Sequence, residues 1–194
     1  ALAMTRGLAL PWQQRRTSGT ERADYAALCD LLQANVGRGF FSYDLFGEAP
    51  WVATDASKST RYTGGGYVSH CGRYRWYRYG SAAARNPIDF LEGDTVCEAI
   101  ADVGPTCWRK ILTIKVDNKA FQQSGEKGWS KAERLTLLTK RLFHLSNQFE
   151  VIVRLEWVST HDNVFADALS RPDAETAFLA LVESRRPCGP GVLL

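Results

Sequence analysis

Two short apolar segments of this chain each carry an aspartate at their end, and this pair constrains the fold more than any other feature. The segments are WVATD (51–55), which ends in Asp55, and KILTIKVDN (110–118), which contains Asp117. A hairpin and a helix are predicted between them, and a helical crossover that returns to the same sheet makes the strands it joins parallel. If the two strands are neighbours, about 4.8 Å apart, both carboxylates lie at one edge of the sheet.

Two carboxylates held that closely disfavour each other's ionised form. A divalent cation resolves the conflict, and a ligand set made only of oxygen suits Mg²⁺ or Mn²⁺. In open α/β sheets, ligands gather outside the carboxyl ends of the strands. The pattern therefore predicts a metal-dependent site at this edge.

From residue 51 onward, the predicted order of elements is β-β-β-α-β-α-β-α, from apolar runs for strands and helical spacing for helices. In the helix over 86–104, Asn86 is predicted as the N-cap, Pro87 as the first helical residue and Gly104 as the end. Asn163 is predicted to cap the last helix. The predicted segments are strands 51–55, 63–70, 73–80, 110–117 and 150–160, and helices 21–36, 86–104, 130–148 and 163–170.

Glu92 is the better candidate for a third carboxylate ligand in the helix that also contains Glu98. At helical spacing, Glu92 shares its face with Ile88 and Ile100, and this apolar face is predicted to pack on the sheet. Glu98 falls on a face with acidic residues and is predicted to be solvated. Gly93 costs a helix roughly 1 kcal/mol relative to alanine; either close approach of a substrate or relief of crowding between helix and sheet explains it.

Asp167 lies among apolar neighbours in FADALSRP (165–172), just before a Ser-Arg-Pro stop. A carboxylate in such surroundings is costly unless a hydrogen bond, an arginine or a metal compensates it. The residues alone leave these three explanations open.

Net charge, cysteine content and hydropathy narrow the class of protein but do not identify its function. The formal net charge of +3 is too small to establish a nucleic-acid partner by itself. The five cysteines form no CxxC pair, which favours reduced thiols and an intracellular location, cytoplasmic or nuclear. No segment is long and apolar enough to span a membrane, so no membrane partner is expected.

Four motifs in order carry a resemblance to a known family. They are TDAS with GGGYV, a helix bearing Glu92, VDN, and STHDNVFADALSRP. Together they resemble the ribonuclease H domain of retroelement reverse transcriptases over residues 51–172. The ADALSR ending and the run from IDFLEGDTV to VDNKAFQQSGEKGWSK are most similar to retrotransposons of the DIRS-like or gypsy-like type.

The resemblance implies an α/β fold of the ribonuclease H type, a five-stranded mixed sheet of order 3-2-1-4-5 flanked by helices. It implies that Asp55, Glu92, Asp117 and Asp167 hold two Mg²⁺ or Mn²⁺ ions and cleave the RNA strand of RNA–DNA hybrids. It also implies a reverse transcriptase polyprotein, whose polymerase domain is an expected partner. Residues 1–50 are then a linker plus helix at the end of a polymerase connection region, and residues 173–194 a short helix and flexible tail.

His161 is a departure from the family pattern. Members often carry a histidine in the loop before the last catalytic helix, usually three positions before an asparagine, whereas THDN places His161 two positions before Asn163. A role in proton transfer or product release and a simple contact with phosphate or solvent are both consistent with the sequence.

Further residues are expected to contact the nucleic acid. The segment GEKGWSKAER (125–134) resembles the basic segment that grips the DNA strand, with Trp129 on a deoxyribose and the basic side chains on phosphates; a solvated basic helix start with a core tryptophan is the alternative. Asn118 is expected to reach the minor groove, where 2′-hydroxyls identify RNA, or to cap the next helix. The expected contacts are Ser57, Gly93, Asn118, Lys127, Trp129, Lys131 and Arg134.

Three classes of function fit these motifs. The first is a hybrid-specific ribonuclease, which the presence of all four carboxylates favours. The second is an inactive or domesticated module of the same fold that binds nucleic acid without cutting it. The third is a nuclease or transposase of the same superfamily that acts on DNA.

Overall fold

The computed structural model describes residues 19, 22–26, 29 and 50–185. The chain divides into two compact units, residues 1–42 and 43–194. In the first unit, the described residues of the predicted helix 21–36 are helical. The rest of that helix, most of the predicted connection region and the predicted tail after residue 185 lie outside the described residues.

The second unit contains a five-stranded mixed sheet of order β3-β2-β1-β4-β5, as expected. The first three strands form an antiparallel meander, and β4 and β5 then add in parallel to β1. The strands are β1 (Trp51–Lys58), β2 (Thr63–Ser69), β3 (Tyr74–Arg78), β4 (Ile111–Val116) and β5 (Ile152–Trp157).

The register of β1 on β4 brings the two aspartates together. Ala53 lies opposite Lys115 in this parallel pair, so the same register carried two residues further places Asp55 beside Asp117. The predicted end of β1 at Asp55 was wrong, because the strand continues to Lys58 by pairing with β2 alone. Asp55 therefore lies in the part of β1 that is paired with β2 on one side and has no hydrogen-bonded pairing with β4 on the other.

In the described part of the chain, five helices flank the sheet, and one of them had no separate segment in the sequence prediction. That helix is α2, which starts directly after Asn118 and is short. Within the described residues, no helix has both the length and the apolar character needed to cross a membrane. The helices are α1 (Ile88–Val103), α2 (Lys119–Lys127), α3 (Glu133–Gln148), α4 (Val164–Ser170) and α5 (Ala174–Ser184).

Two predicted caps have other roles. Pro87, with extended backbone angles, is the N-cap of α1, and the Asn86 side chain does not cap the helix. The extended ψ of Pro87 excludes it from the first turn, so the helix begins one residue later than predicted. Asn163 does stand at the N-cap of α4, but its side-chain amide donates to the Thr54 carbonyl of β1 at 2.9 Å. It therefore joins the start of α4 to the sheet.

Two apolar clusters occupy opposite faces of the sheet. Along β1, Val52 contributes to the cluster beneath α1, α2 and α3, and its neighbour Ala53 contributes to the cluster beneath α4 and α5. Alternation of side chains along a strand produces this division. The second cluster also contains the buried Phe178 of α5, so the helix after residue 173 is part of the packed structure.

Gly66 sets how closely α4 approaches the sheet. It lies opposite Asp55 in the antiparallel pair of β1 with β2. A Cβ atom there would lie 2.6 Å from the carbonyl carbon and 2.7 Å from the carbonyl oxygen of Leu169 in α4. The missing side chain thus lets the backbone of α4 rest directly on β2, beside Asp55.

We expect Gly66→Ala to lower the free energy of unfolding by about 1–3 kcal/mol, because the added methyl group meets backbone that cannot rotate away. Chemical denaturation followed by circular dichroism measures the change. Gly80→Ala is the matched control, since a Cβ atom at Gly80 would have no neighbour within 4 Å. Equal stability of the two variants would contradict close packing of α4 at this point.

Candidate active site

Three carboxylates converge at the carboxyl edge of the parallel strands. Asp55 comes from β1, Glu92 from α1 and Asp117 from the residue after β4, and one carboxylate oxygen of each lies within 4.8 Å of the others. The parallel pairing supplies the two aspartates, and the packed face of α1 directs Glu92 toward them. The predicted grouping of these three residues is confirmed.

Asp55 is the most buried of the three, with 6% of its surface exposed. Burial raises the pKa of Asp55 to about 7, and the charges of Asp117 and Asp167 add to that rise. Two hydrogen bonds oppose the rise in the Asp55 pKa, and the larger effect comes from the Ser170 hydroxyl at the end of α4, which donates to the Asp55 carboxylate at 2.6 Å. The smaller effect comes from a hydrogen bond with the backbone of Ala56. The ionised form of Asp55 is therefore costly in the protein alone.

Glu92 and Asp117 are held in a similar way. Burial raises the pKa of Glu92 to about 7, and the Asn118 amide opposes this by donating to its carboxylate at 2.5 Å. Burial also raises the pKa of Asp117, whose carboxylate accepts a 3.2 Å hydrogen bond from the Thr160 hydroxyl. The Trp157 indole N–H donates to the Asp117 carbonyl at 3.0 Å. Each carboxylate thus has a neutral side-chain donor that orients it.

The donor set fits a divalent cation. In the part of the chain that the structure describes, no lysine or arginine forms an ion pair with Asp55, Glu92 or Asp117. Three partly buried oxygen donors with raised pKa values and no cationic partner match the preference of Mg²⁺ or Mn²⁺ for carboxylate ligands. These three residues could hold such an ion.

Asp167 stands apart from this group. Its carboxylate pairs with Arg171, four residues later, through hydrogen bonds of 2.6 and 2.9 Å. Of the three explanations that the sequence left open, the structure therefore shows the arginine. Asp167 is still near enough for its charge to raise the pKa values of Asp55 and Asp117. The role of Asp167 as a fourth metal ligand stays a prediction.

The choice of Glu92 over Glu98 follows from the packing of α1. Glu98 points to the neighbouring helix α3, where it pairs with Arg141 at 2.6 Å. The expectation that Glu98 is only solvated was incomplete, because Glu98 has this ion-pair partner. The same arginine also pairs with Asp94 at 2.6 Å. Glu98 has a structural partner and lies outside the carboxylate group.

The residues that sequence reasoning missed are the neutral donors. Ser170 is fully buried and belongs to the ADALSR motif. Its position at the end of an apolar helix is a sequence signal that could have identified it. Thr160 stands in the loop after β5, and no local pattern distinguishes it from other loop threonines. Arg171 follows Ser170 in the same motif and supplies the partner of Asp167.

The expected basic segment is exposed around Trp129. The Trp129 side chain is 50% exposed, so the alternative of a core tryptophan was wrong. Lys127 and Lys131 are also exposed. Arg134 instead forms a bidentate ion pair with the Asp89 carboxylate of α1, and the shortest nitrogen–oxygen distance is 2.8 Å. A phosphate contact by Arg134 would require this pair to open.

Ser57 and Asn118 are both engaged within the protein. The Ser57 hydroxyl donates to the Ser170 carbonyl at 2.5 Å and so joins β1 to the end of α4. The Asn118 side chain accepts from the Phe121 backbone amide at 2.9 Å, which caps α2, while its amide group donates to Glu92. The capping interpretation of Asn118 is therefore confirmed, and its contact with a groove stays a prediction.

Gly93 and His161 differ in their surroundings. A Cβ atom at Gly93 would lie 2.8 Å from both the Phe121 ring and the Leu138 side chain. The glycine therefore relieves crowding between α1 and its neighbouring helices. The expected approach of substrate at Gly93 stays a prediction. His161 is exposed in the turn between β5 and α4, directly after Thr160.

The solved structures that are similar to this chain include RNase H domains. The N-terminal RNase H domain of a Mycobacterium tuberculosis protein, solved as a fusion with maltose-binding protein, is 18% identical and covers 69% of this chain and 98% of that chain, with a TM-score of 0.55. RNase H1 from the halophilic archaeon Halobacterium salinarum is 16% identical, covers 66% and 98%, and has a TM-score of 0.54. LC11-RNase H1 in complex with an RNA/DNA hybrid is 14% identical, covers 66% and 98%, and has a TM-score of 0.55.

Sequence comparisons add no closer relative. No family model matches the chain, and the search of curated proteins returns no match. At these low identities the structural similarity establishes the fold. The second unit of the chain has an RNase H-like fold.

The raised pKa values predict how stability depends on pH when a chelator removes divalent ions. A carboxyl group with a higher pKa in the folded than in the unfolded state binds its proton more tightly when folded, so losing that proton opposes folding. For Asp55 this loss falls between the ordinary pKa of 3.8 and about 7. Each unit of pKa difference corresponds to about 1.4 kcal/mol.

We therefore expect the stability of the wild type relative to Asp55→Asn to fall by a few kcal/mol as the pH rises through this window. Urea denaturation of both proteins with chelator, at a series of pH values, measures the difference. A wild type that gains stability relative to Asp55→Asn across the window would show that Asp55 is ionised at little cost.

Proposed function

We propose that this chain is an endonuclease that hydrolyses the RNA strand of RNA–DNA hybrids with divalent metal ions. The observation that carries the proposal is the convergence of Asp55, Glu92 and Asp117 at the carboxyl edge of an RNase H-like sheet. A structural neighbour in complex with an RNA/DNA hybrid supports the choice of substrate.

In this proposal two Mg²⁺ or Mn²⁺ ions are held by the three converging carboxylates together with Asp167. Bound divalent ions supply an activated water and neutralise charge on the leaving oxygen in phosphodiester hydrolysis. For Asp167 to take part, its ion pair with Arg171 has to loosen. Because that pair is partly exposed, its opening costs about 1 kcal/mol or less.

The protein's own contribution is to orient the carboxylates. Ser170, Asn118 and Thr160 each donate a hydrogen bond to one of them. A neutral donor restrains the orientation of a carboxylate without cancelling its charge, and it leaves other acceptor sites free. Preorganised ligands of this kind avoid rearrangement when charge develops during the reaction.

Substrate recognition in this proposal rests on exposed groups beside the site. Trp129, Lys127 and Lys131 are exposed, and we propose that they contact one strand. Ser57 and Asn118 are proposed to contact the RNA after small rearrangements. His161, in the exposed turn, is proposed to assist proton transfer or product release. The 2′-hydroxyls of RNA are what distinguishes the hybrid from duplex DNA.

The wider context is proposed from the motifs alone. The ADALSRP ending and the VDN segment support an origin in a DIRS-like or gypsy-like retroelement. The domain would then belong to a reverse transcriptase polyprotein with a polymerase domain as partner, and would act inside the cell.

We expect Asp55→Asn to reduce hybrid cleavage by at least 10³-fold while the protein stays folded, because the amide keeps the shape of aspartate but removes the charge that a metal needs. Cleavage of a labelled RNA–DNA hybrid with Mg²⁺ or Mn²⁺ measures it. Glu98→Gln is the control and should keep nearly full activity. An active Asp55→Asn variant would remove this residue from the site.

A second assay separates the classes of function. We expect the wild type to cut the RNA of an RNA–DNA hybrid and to spare duplex DNA and double-stranded RNA, because groove shape and 2′-hydroxyl contacts differ among them. Equal cutting of duplex DNA would favour a DNA-acting nuclease. Binding of hybrid without any cutting, with metal present, would favour an inactive binding module.

A further inference from the structure

Two free cysteines lie at the end of the sheet opposite the carboxylate group, where β1 and β4 begin. Cys71 follows β2 in the turn that leads to β3, and Cys107 ends the short helical turn, Gly104–Cys107, between α1 and β4. Cys71 is exposed, whereas Cys107 is buried in the apolar cluster beneath α1. Neither thiol takes part in the proposed hydrolysis.

The Cys71 thiol is folded back onto the face of the sheet that Cys107 occupies. Its sulfur lies 3.2 Å from the hydroxyl oxygen of Ser69, which is itself only 2% exposed. Side chains two residues apart on a strand share a face, so Ser69 lies on the face of Tyr67, and Tyr67 belongs to the same cluster as Cys107. Burial raises the pKa of Cys107, and Cys71 is near enough for its charge to add to that rise.

Contacts between this turn and α1 hold the two cysteines near each other. The Arg73 guanidinium donates to the Asp102 carbonyl at 3.3 Å and lies 3.7 Å from the Asp102 carboxylate. The Tyr67 hydroxyl donates to the same carboxylate at 2.7 Å. Asp102 is in the last turn of α1, shortly before Cys107. The exposed turn is therefore attached to the segment that carries the second thiol.

Cys71 is the thiol suited to react first. Hydrogen bonds with the Ser69 hydroxyl and with the Arg73 backbone lower the pKa of Cys71, and the thiolate is the nucleophilic form of cysteine. Cys107, by contrast, is buried and favours its protonated form. An exposed thiol of lowered pKa next to a second thiol that can resolve its oxidised form is the arrangement found in redox-sensing pairs.

The turn has room to bring the sulfurs together. Gly72, directly after Cys71, has a φ of 77°, and a Cβ atom there would have no heavy atom within 4 Å. The sulfurs of a disulfide are about 2 Å apart, so one partner has to move toward the other. An exposed turn without neighbours at Gly72 can make this movement, while Cys107 keeps its place in the core.

We propose that Cys71 and Cys107 are a redox-responsive pair, in which a hydroperoxide oxidises Cys71 and Cys107 then closes a disulfide between the turn after β2 and the end of α1. The proposal does not depend on the proposed function. Disulfides of intracellular proteins are mostly transient and redox-sensing. This one would close a loop that contains β3 and α1, the helix that carries Glu92, and would restrain both in the oxidised protein.

Hydrogen peroxide supplies the oxidation in two steps. The Cys71 thiolate attacks one oxygen of the peroxide, so that a sulfur–oxygen bond forms, the oxygen–oxygen bond breaks and hydroxide leaves. The Cys107 sulfur then attacks the sulfur of the resulting sulfenic acid, and the hydroxyl group leaves as water with the Cys107 proton. One peroxide molecule is reduced as the two thiols are oxidised, and an external thiol reverses the change by disulfide exchange.

Thiol mapping of the full chain tests the pair. The reduced protein is treated with hydrogen peroxide, alkylated, digested without reductant and analysed by mass spectrometry. Dimedone, which traps sulfenic acids, is present in a parallel sample and reports the first step. Cys71→Ser and Cys107→Ala each remove one partner, and Cys29→Ser is the matched control because Cys29 is also an exposed free cysteine.

We expect the oxidised wild type to give a peptide pair joined through Cys71 and Cys107, to lose it on reduction, and to melt at a higher temperature than the reduced protein. Cys29→Ser should behave like the wild type. Cys107→Ala should accumulate dimedone on Cys71 to several times the wild-type level, because the second step is blocked. If Cys107→Ala misfolds, Cys71→Ser, changed at an exposed position, should leave Cys107 reduced under the same treatment.

Equal dimedone labelling of Cys71 in the wild type and Cys107→Ala, without a joined peptide, would overturn the proposal. A peptide that joins Cys71 to a different cysteine would do the same. A joined peptide that forms only in urea, or an oxidised protein that melts at a lower temperature, would show that the bond does not fit the folded protein. A joined peptide in the folded wild type supports the pair even if the protein cuts no nucleic acid.

Discussion

The burial of three like charges at one edge of the sheet is the constraint on which the rest of the site depends. Asp55, Glu92 and Asp117 lie within 4.8 Å of one another, and burial is the largest cause of each raised pKa. Such a group persists only if the surrounding fold supplies the free energy that holds it. Two apolar clusters, one on each face of the sheet, provide that support.

Much of this arrangement could be predicted because it follows from local patterns. Strand periodicity and a helical crossover were enough to place Asp55 beside Asp117, and helical spacing was enough to prefer Glu92 to Glu98. Each of these inferences uses residues within one element, or the parallel direction of two strands joined by one helical crossover. The order of the five strands came from the resemblance to ribonuclease H domains, and the structure confirms it.

The remainder depends on contacts between residues far apart in the sequence. Ser170 donates to Asp55 across 115 positions, and Arg134 pairs with Asp89 across 45; no periodicity encodes such pairs. The continuation of β1 beyond Asp55 depends on pairing with β2, and Gly93 faces two other helices. In each case tertiary packing decides what a local pattern leaves open.

The hydrogen bond from Ser170 to Asp55 also has a consequence for synthesis of the chain. A ribosome adds roughly 5–20 residues per second, so the donor emerges on the order of ten seconds after its acceptor. During that interval β1 lacks α4 on one face and, at first, β4 at its side. Until α4 has been synthesised, Asp55 of the nascent strand therefore lacks its Ser170 donor and remains in water, where ionisation is favourable.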